Sequence, residues 1–294
     1  MLATIDFGPR PRSIPLPVRG GTAAALEFGP QDRPIDIVFA HANGFNAYTY
    51  RTLLAPLEDL RILALDLRGH GLSGLPTPME GRSSWRDLVE DHLALLDLLE
   101  VEDVVLAGHS MGGTVSLLAA AERPGQVRRL VLLDPVIQSA AQQAADSRGA
   151  GQARRMSVAA ARRRSVYPSR DAAIEAYRGR GAFSTWPEAT LADYAAGGFR
   201  DRPDGQVELA CAPAWEASNY AAQDNRALEA FAAVRCRADI LRAQFATTCC
   251  LDDRLDELTA SGRVDLRTVP GTTHFLPIER PEAVRAALAG AAGR

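Results

Sequence analysis

The sequence contains no lysine, and all 33 of its basic residues are arginines. Chemistry that needs a lysine amine is therefore excluded: a Schiff base with a carbonyl substrate, the phosphate-binding lysine of a P-loop, and a Ser-Lys catalytic pair. The 36 acidic residues outnumber the arginines and give a formal net charge of -3. Because no basic stripe interleaved with aromatic residues offsets that charge, we expect no nucleic-acid partner.

Long apolar runs and paired cysteines are also scarce. No stretch approaches the roughly 18 apolar residues of a membrane span, and residues 1–17 lack the apolar core of a signal peptide. The four cysteines show no Cys-x-x-Cys spacing, and they include an adjacent pair, Cys249 and Cys250, that suits a disulfide framework poorly. We therefore expect reduced thiols in a cytoplasmic protein with no membrane partner.

Motifs for metals and organic cofactors are missing as well. The sequence has no His-Glu-x-x-His zinc motif, no glycine-rich dinucleotide fingerprint and no P-loop. We therefore expect neither a metal nor a cofactor. The 294 residues, 47% of them apolar and 23% charged, are typical of a globular protein with one large domain or two ordinary ones.

Predicted strands and helices alternate along most of the chain. Short apolar runs predict buried strands, helical spacing predicts helices between them, and residues 12–28 predict two edge strands. Between residues 137 and about 232 the pattern is helical, with many aromatic residues and no buried-strand run. This order predicts an α/β fold, in which a mostly parallel sheet carries a helical insert as a lid. The predicted buried strands are 35–40, 61–65, 104–107, 129–133, 238–245 and 264–269.

The segment Val104–Thr114 carries the clearest chemical signal. Four apolar residues lead into Gly108-His109-Ser110-Met111-Gly112, and an Ala- and Leu-rich helical stretch follows. This is the G-x-S-x-G pattern in the context that gives it meaning, a strand, a sharp turn and a helix. Glycines flank the central residue where a Cβ would collide with the adjoining strand or helix. The pattern predicts that Ser110 is exposed at the sheet edge as a nucleophile.

A serine hydroxyl needs a base at neutral pH, and an imidazole base must itself be held by an acid. Active residues in an open parallel sheet gather at the carboxyl ends of its strands. Asp134 follows the strand after the Ser110 helix, and His274 follows the last predicted strand. The chain order Ser110, Asp134, His274 therefore predicts a nucleophile, an acid and a base.

At these motifs the chain resembles the α/β-hydrolases. The resemblance covers residues 22–135 and 236–290, and it implies an eight-stranded sheet with helices on both faces and a cap that shapes substrate choice. We therefore expect a core of residues 1–135 and 233–294 and a cap of residues 136–232. A serine nucleophile disfavours the dehalogenase and epoxide hydrolase branches of that family. The resemblance rests on four segments: His41-Ala42-Asn43-Gly44-Phe45, Asp66-Leu67-Arg68-Gly69-His70-Gly71-Leu72-Ser73, Gly108-His109-Ser110-Met111-Gly112, and Pro270-Gly271-Thr272-Thr273-His274-Phe275.

The resemblance also implies the donors of an oxyanion hole, which would be the backbone N–H groups of Asn43 and Met111. The acid departs from the usual pattern. Most relatives carry it on the loop after the strand 238–245, where this sequence reads Ala-Thr-Thr-Cys-Cys. Some members carry it where Asp134 stands, so we favour Asp134 over the alternative Asp252, which is expected to cap the next helix.

The other histidines have structural interpretations. His92 lies on the apolar face of a predicted helix, and we expect it in the core. His109 is expected to pack away from the serine, whereas His41 and His70 are expected to order their loops. Arg154-Arg155 and Arg162-Arg163-Arg164 in the insert predict either a solvated helix face or a site for an anionic substrate.

The leading hypothesis is a cofactor-independent serine hydrolase that cleaves an ester-like bond of a small or medium, largely apolar substrate. A second hypothesis keeps the same residues but cleaves a carbon–carbon or thioester bond. A third is a binding protein that no longer turns over.

Overall fold

The computed structural model describes residues 9–139, 141–142, 144, 151–222, 226–251 and 254–293. Its main sheet has eight strands in the order β1-β2-β4-β3-β5-β6-β10-β11. The pairs β1–β2 and β2–β4 are antiparallel, and all other neighbours are parallel. The predicted fold class is therefore confirmed. The strands are β1 (Arg10–Leu16), β2 (Gly21–Phe28), β3 (Ile37–Ala40), β4 (Ile62–Asp66), β5 (Val104–His109), β6 (Val127–Leu133), β10 (Arg237–Ala243) and β11 (Val264–Val269).

Helices cover both faces of this sheet. On one face, α2 (Arg86–Leu98), α3 (Met111–Glu122) and α8 (Ala227–Ala233) share an apolar cluster with the strands. On the other, α1 (Arg51–Leu54) and α11 (Pro281–Ala291) share a second cluster. The buried strand β3 supplies alternate side chains to the two clusters, as a parallel strand covered on both sides must. Two short helices, α9 (Leu255–Ala260) and α10 (Leu276–Glu279), complete this part of the fold.

The described part of the segment between β6 and α8 includes helices and a small antiparallel sheet. The helices are α4 (Gln152–Ala161), α5 (Arg170–Tyr177), α6 (Glu188–Gly198) and α7 (Pro213–Ala221). Three short strands, β7 (Val166–Tyr167), β8 (Phe199–Asp201) and β9 (Val207–Leu209), pair in the order β7-β9-β8. The sequence pattern predicted only helices here, because strands of two or three residues are too short to show an alternating pattern.

The insert packs on the main domain through apolar and polar contacts. Tyr167, Trp186 and Tyr194 belong to the same apolar cluster as Phe39 and Tyr50 of the main domain.

Within the described residues, no helix is both long enough and apolar enough to cross a membrane.

The apolar pattern of the sequence predicts a helix from about Tyr48 to Leu57, and the structure shows a shorter one. The interval 48–57 forms a 3-10 turn over Ala47–Tyr50 followed by the four-residue α1. The turn begins at Asn46, whose side-chain oxygen accepts a hydrogen bond of 3.1 Å from the Thr49 N–H. A polar N-cap of this kind satisfies one of the free donors at a helix start.

The turn between β5 and α3 is sharp and closely packed. Ser110 has φ 55° and ψ -121°, a conformation that is costly for a residue with a side chain. A Cβ on Gly108 would lie 2.4 Å from the backbone of Gly112. A Cβ on Gly112 would lie 2.3 Å from the carbonyl oxygen of Ala40. The two glycines therefore let β5, α3 and the end of β3 approach each other where Ser110 is presented.

We expect Gly112→Ala to lower the free energy of unfolding by about 1–3 kcal/mol, because its new methyl group overlaps the backbone of Ala40. Urea denaturation measures the change. The matched control is Gly290→Ala in α11, where an added Cβ meets nothing within 4 Å. This control should be neutral or gain up to about 1 kcal/mol from helix propensity. Equal stabilities for the two variants would contradict the close approach at the turn.

Candidate active site

Ser110, His274 and Asp134 come together at the carboxyl ends of three parallel strands. Ser110 follows β5, Asp134 follows β6, and His274 lies in the loop after β11. The Ser110 Oγ lies 2.9 Å from the Nε2 of His274. The Nδ1 of the same ring lies 2.6 Å from the Oδ2 of Asp134. A neutral imidazole fits this arrangement, with Nδ1–H donating to the carboxylate and Nε2 accepting from the serine hydroxyl.

The Ser110 turn is fixed from two sides. Its backbone N–H donates a hydrogen bond of 2.9 Å to the carbonyl of Leu133, at the end of β6. On its other side, Ser110 directly precedes α3, whose first residue is Met111. The N–H groups of a first helical turn have no partner inside the helix and point toward the positive end of the helix dipole. The Met111 N–H, a predicted oxyanion donor, is therefore one of the N–H groups without a partner inside α3.

The Asp134 carboxylate is fully buried and accepts several hydrogen bonds. Its Oδ1 accepts from the Ala243 N–H at 3.0 Å and from the Thr247 hydroxyl. Its Oδ2 accepts from the Thr248 N–H at 3.0 Å in addition to His274. Burial raises the pKa of this carboxyl, but the hydrogen bond and charge of His274 and the other donors outweigh it and lower the pKa below its usual value.

The loop after β10 thus supplies donors where most family members supply the acid. Thr247 and Thr248 were not singled out from the sequence as site residues. The signal that the sequence offers is their position just after the predicted strand 238–245. That strand lies beside β6, the strand that precedes Asp134. The alternative acid, Asp252, lies outside the described residues.

Asn43 lies in the loop after β3, the strand adjacent to β5. Its side chain is held by the insert: Nδ2 donates to the carbonyl of Glu216 at 3.1 Å, and Oδ1 accepts from the Asn219 amide at 2.9 Å. A Cβ on Gly44 would lie 2.8 Å from the Glu216 carboxylate, so the insert covers this loop closely. The described contacts therefore fix the loop whose Asn43 N–H is a predicted oxyanion donor.

His41 and His70 order loops, as their positions suggested. The His41 Nε2 accepts from the Leu67 N–H at 2.9 Å, and its Nδ1 donates to the Ala42 carbonyl at 2.7 Å. The His70 Nε2 accepts from the Gly44 N–H at 3.1 Å. Burial lowers the pKa of His41 well below its usual value and that of His70 to about 4. Both rings are therefore neutral at physiological pH.

His92 is buried in α2, and burial lowers its pKa to about 4.

His109 has polar partners that the sequence did not predict. Its Nδ1 lies 2.7 Å from the Tyr50 hydroxyl, and its Nε2 lies 2.7 Å from the backbone carbonyl of His274. No sequence pattern signals these partners, because they lie 59 and 165 residues away along the chain.

Aromatic rings from the main domain and the insert pack around Phe275, the residue after His274. The ring of Phe275 lies 6.2 Å from that of Phe45 and 6.1 Å from that of Trp186. Phe45 and Trp186 meet edge to face at 5.1 Å. The Phe275 ring lies 5.9 Å from that of His274, so an apolar cluster adjoins His274.

The arginine run of the insert divides into two kinds. Arg154, Arg155, Arg162 and Arg164 are exposed, as in a solvated helix face. Arg163 is partly buried and forms an ion pair with Glu216 at 2.5 Å. Its guanidinium also donates to the hydroxyls of Tyr177 and Tyr194. Arg163 therefore joins three elements of the insert through groups that already balance its charge.

Among the described residues, no group of three or more His, Cys, Asp and Glu side chains is placed to hold a metal ion.

Comparisons with known proteins agree with this architecture. A haloalkane dehalogenase of Mycolicibacterium paratuberculosis is 37% identical over 117 residues, which are 39% of this chain and 38% of the relative. A 2-hydroxymuconate semialdehyde hydrolase of a Pseudomonas species is 34% identical over 103 residues, 34% of this chain and 35% of the relative. The matches thus span less than half the length of these curated relatives.

The crystal structure of E-2-(acetamidomethylene)succinate hydrolase superposes with a TM-score of 0.77, covering 97% of this chain and 100% of that one at 23% identity. At that identity the likeness shows the fold alone. The sequence model of the alpha/beta hydrolase family matches residues 37–287, which include the six main-sheet strands β3, β4, β5, β6, β10 and β11. The match to most of the chain, the sheet order and the sharp turn at Ser110 together show that this protein belongs to the α/β hydrolase family.

Proposed function

We propose that this protein is a cofactor-independent serine hydrolase that cleaves an ester-like bond, as a carboxylesterase does, through an acyl-enzyme. The observation that supports this most directly is the row of two short contacts, 2.9 Å from Ser110 Oγ to His274 Nε2 and 2.6 Å from His274 Nδ1 to Asp134 Oδ2. A nucleophile, a base and an orienting acid at these distances are the parts that acyl transfer requires.

In the proposed reaction the Ser110 oxygen attacks the substrate carbonyl while His274 takes the hydroxyl proton at Nε2. The resulting imidazolium is stabilised by the Asp134 carboxylate and returns the proton to the leaving alcohol, so that an acyl-serine remains. A water molecule then attacks the acyl group, and His274 again accepts and returns one proton. The products are an acid and an alcohol, and Ser110 is restored.

The oxyanion of the tetrahedral intermediate would be stabilised by the backbone N–H groups of Asn43 and Met111. The Met111 N–H is favoured by its place at the start of α3, and the loop of Asn43 is immobilised by hydrogen bonds to the insert. Donors fixed before charge develops stabilise the transition state without the cost of reorganisation, and loss of one typically costs about 100- to 1,000-fold in rate.

The acid in this proposal is Asp134 rather than Asp252. Asp134 already contacts the His274 ring, and four donors, one from the end of β10 and three from the loops after β10 and β11, satisfy its charge. A second carboxylate at the same ring would face the repulsion of the first.

The proposed substrate is a small or medium, largely apolar molecule. The aromatic rings of Phe45, Trp186 and Phe275 beside His274 favour an apolar acyl or alcohol group. We propose that residues 136–232 act as the cap that encloses it on the core formed by residues 1–135 and 233–294. The last residues of this range belong to α8, which packs beside α3 on the sheet. The covering surface therefore comes from the elements before α8.

A second candidate keeps the same three residues and cleaves a carbon–carbon or thioester bond. It is favoured by the name of one relative, a 2-hydroxymuconate semialdehyde hydrolase. The serine nucleophile disfavours the chemistry named for the dehalogenase relative. Turnover of a panel of esters, thioesters and diketones at equal concentration separates the candidates by their kcat/KM values.

We expect a fluorophosphonate probe to label the wild-type protein at Ser110, because His274 activates only a serine within hydrogen-bonding reach. The variant Ser110→Ala should lose labelling and at least about 10,000-fold of kcat. Mass spectrometry of the labelled peptide and an ester assay measure these effects.

The matched control is Ser116→Ala in α3, the helix that follows Ser110. It removes a buried hydroxyl that donates to the carbonyl of Ala107. This control should keep both labelling and turnover. A folded wild-type protein that the probe does not label at pH 8 would instead support a binding protein without turnover.

The choice of acid predicts a large difference between two conservative changes. Asp134→Asn leaves the size of the side chain unchanged but replaces the acceptor that holds His274, so kcat should fall about 10,000-fold. Asp252→Asn should change kcat less than about threefold, since in this proposal Asp252 touches no reacting group. Steady-state kinetics on one ester decide the matter, and the reverse order of effects would assign the acid to Asp252.

A further inference from the structure

A row of buried hydrogen bonds connects the loop after β3 with the loop after β11. The backbone N–H of Ala42 donates to the Tyr50 hydroxyl at 3.2 Å. The Tyr50 hydroxyl contacts the His109 Nδ1 at 2.7 Å, and the His109 Nε2 contacts the carbonyl oxygen of His274 at 2.7 Å. The row thus begins next to Asn43 and ends on the main chain of His274.

The direction of each bond follows from its ends. A carbonyl oxygen can only accept, so the proton of the neutral His109 ring must be on Nε2. Its Nδ1 is then an acceptor, and the Tyr50 hydroxyl must donate to it. The oxygen of the same hydroxyl accepts from the Ala42 N–H, so the Tyr50 hydroxyl acts both as a donor and as an acceptor. Every member of the row therefore has one consistent orientation.

Burial keeps this orientation stable. His109 and Tyr50 are 0% and 1% exposed, and Ala42 is buried as well. Burial, followed by the charge of His274, lowers the pKa of His109 to about 3, and burial raises the pKa of Tyr50. Both groups are therefore neutral at physiological pH. Hydrogen bonds in such surroundings are stronger than bonds exposed to water.

We propose that His109 and Tyr50 are positioning residues for the hydrolytic reaction, with His109 holding the main chain of His274 and Tyr50 holding the His109 ring through its Nδ1. This inference rests on the proposed function, because it assigns the row to the base of that reaction. It gives His109 a role beyond packing inside the turn that presents Ser110.

The geometry explains why such a support matters. His274 lies in a loop, and its ring must stay within about 0.5 Å of a productive position relative to Ser110. Displacement by 1 Å can cost about 100-fold in rate. Because His109 immediately precedes Ser110, its bond to the His274 carbonyl connects the base directly to the turn that carries the nucleophile. The same row holds the Ala42 N–H, one residue before a proposed oxyanion donor.

Loss of the Tyr50 hydroxyl should act through the position of the His109 ring. Without that donor, the buried Nδ1 of His109 has no hydrogen-bond partner, which is costly. The ring is then held only through Nε2, so the His274 loop that it holds should be less firmly placed relative to Ser110. A substitution that never touches the substrate would thereby slow acylation.

The test compares Tyr50→Phe, His109→Phe and His109→Gln in the full-length protein. Tyr50→Phe should lower kcat and the rate constant for fluorophosphonate labelling about tenfold, and His109→Phe about 100-fold, with KM unchanged within twofold. The amide nitrogen of Gln can occupy the place of Nε2 and donate to the His274 carbonyl. His109→Gln should therefore regain part of the rate lost in His109→Phe.

The double variant Tyr50→Phe/His109→Phe should be no slower than His109→Phe, because residues that act as a unit are not additive. The control is Tyr167→Phe, which removes another buried tyrosine hydroxyl, one that contacts Tyr177 in the insert at 3.2 Å. Its labelling rate should equal that of the wild type. Rates are expressed per folded protein, from circular dichroism of the same samples.

The inference is overturned if Tyr50→Phe and His109→Phe lose stability but label at the wild-type rate, or if the double variant shows the product of the two single effects. If His109→Phe does not fold, Tyr50→Phe alone gives the decision by its labelling rate. A wild-type protein that the probe does not label overturns the proposed function itself, which is a different outcome from equal labelling of wild type and variants.

Discussion

The buried carboxylate of Asp134 is the interaction on which the arrangement of this site depends. A carboxylate removed from water is costly unless hydrogen bonds and an opposite charge replace its hydration. Here the N–H of Ala243, the hydroxyl of Thr247, the N–H of Thr248 and the imidazole of His274 do so. The loops after β6, β10 and β11 must therefore converge on one point, and that point lies beside the turn that presents Ser110.

The insert also contributes to the order of the site. Glu216 and Asn219 hold the side chain of Asn43, and the Trp215 indole donates to the carbonyl of Arg68 at 2.8 Å. Arg163 in turn binds Glu216. Loops at the ends of β3 and β4 are consequently fixed by residues more than 140 positions away. The insert and these loops are thus joined by hydrogen bonds, and polar residues of the insert fix the geometry of the loops.

The fold and the family could be predicted from the sequence because both depend on local patterns. Buried parallel strands require short apolar runs, and the turn at Ser110 requires glycines at positions 108 and 112, where a Cβ would overlap backbone atoms. The roles of Ser110, Asp134 and His274 stay predictions, although the structure places them in contact. Thr247, Thr248 and the partners of His109 could not be predicted, because single hydrogen bonds between distant residues leave no periodic trace. The short strands of the insert were missed for a similar reason.

The residues just after Asp134 are paired with the loop that follows β10. The Ile137 N–H donates to the Thr248 carbonyl, the Cys250 N–H donates to the Ile137 carbonyl, and the Thr114 hydroxyl binds the carbonyl of Val136. The chain is thus anchored to the core through Val136 and Ile137. The loop whose threonines bind the Asp134 carboxylate therefore also holds the backbone that follows Asp134.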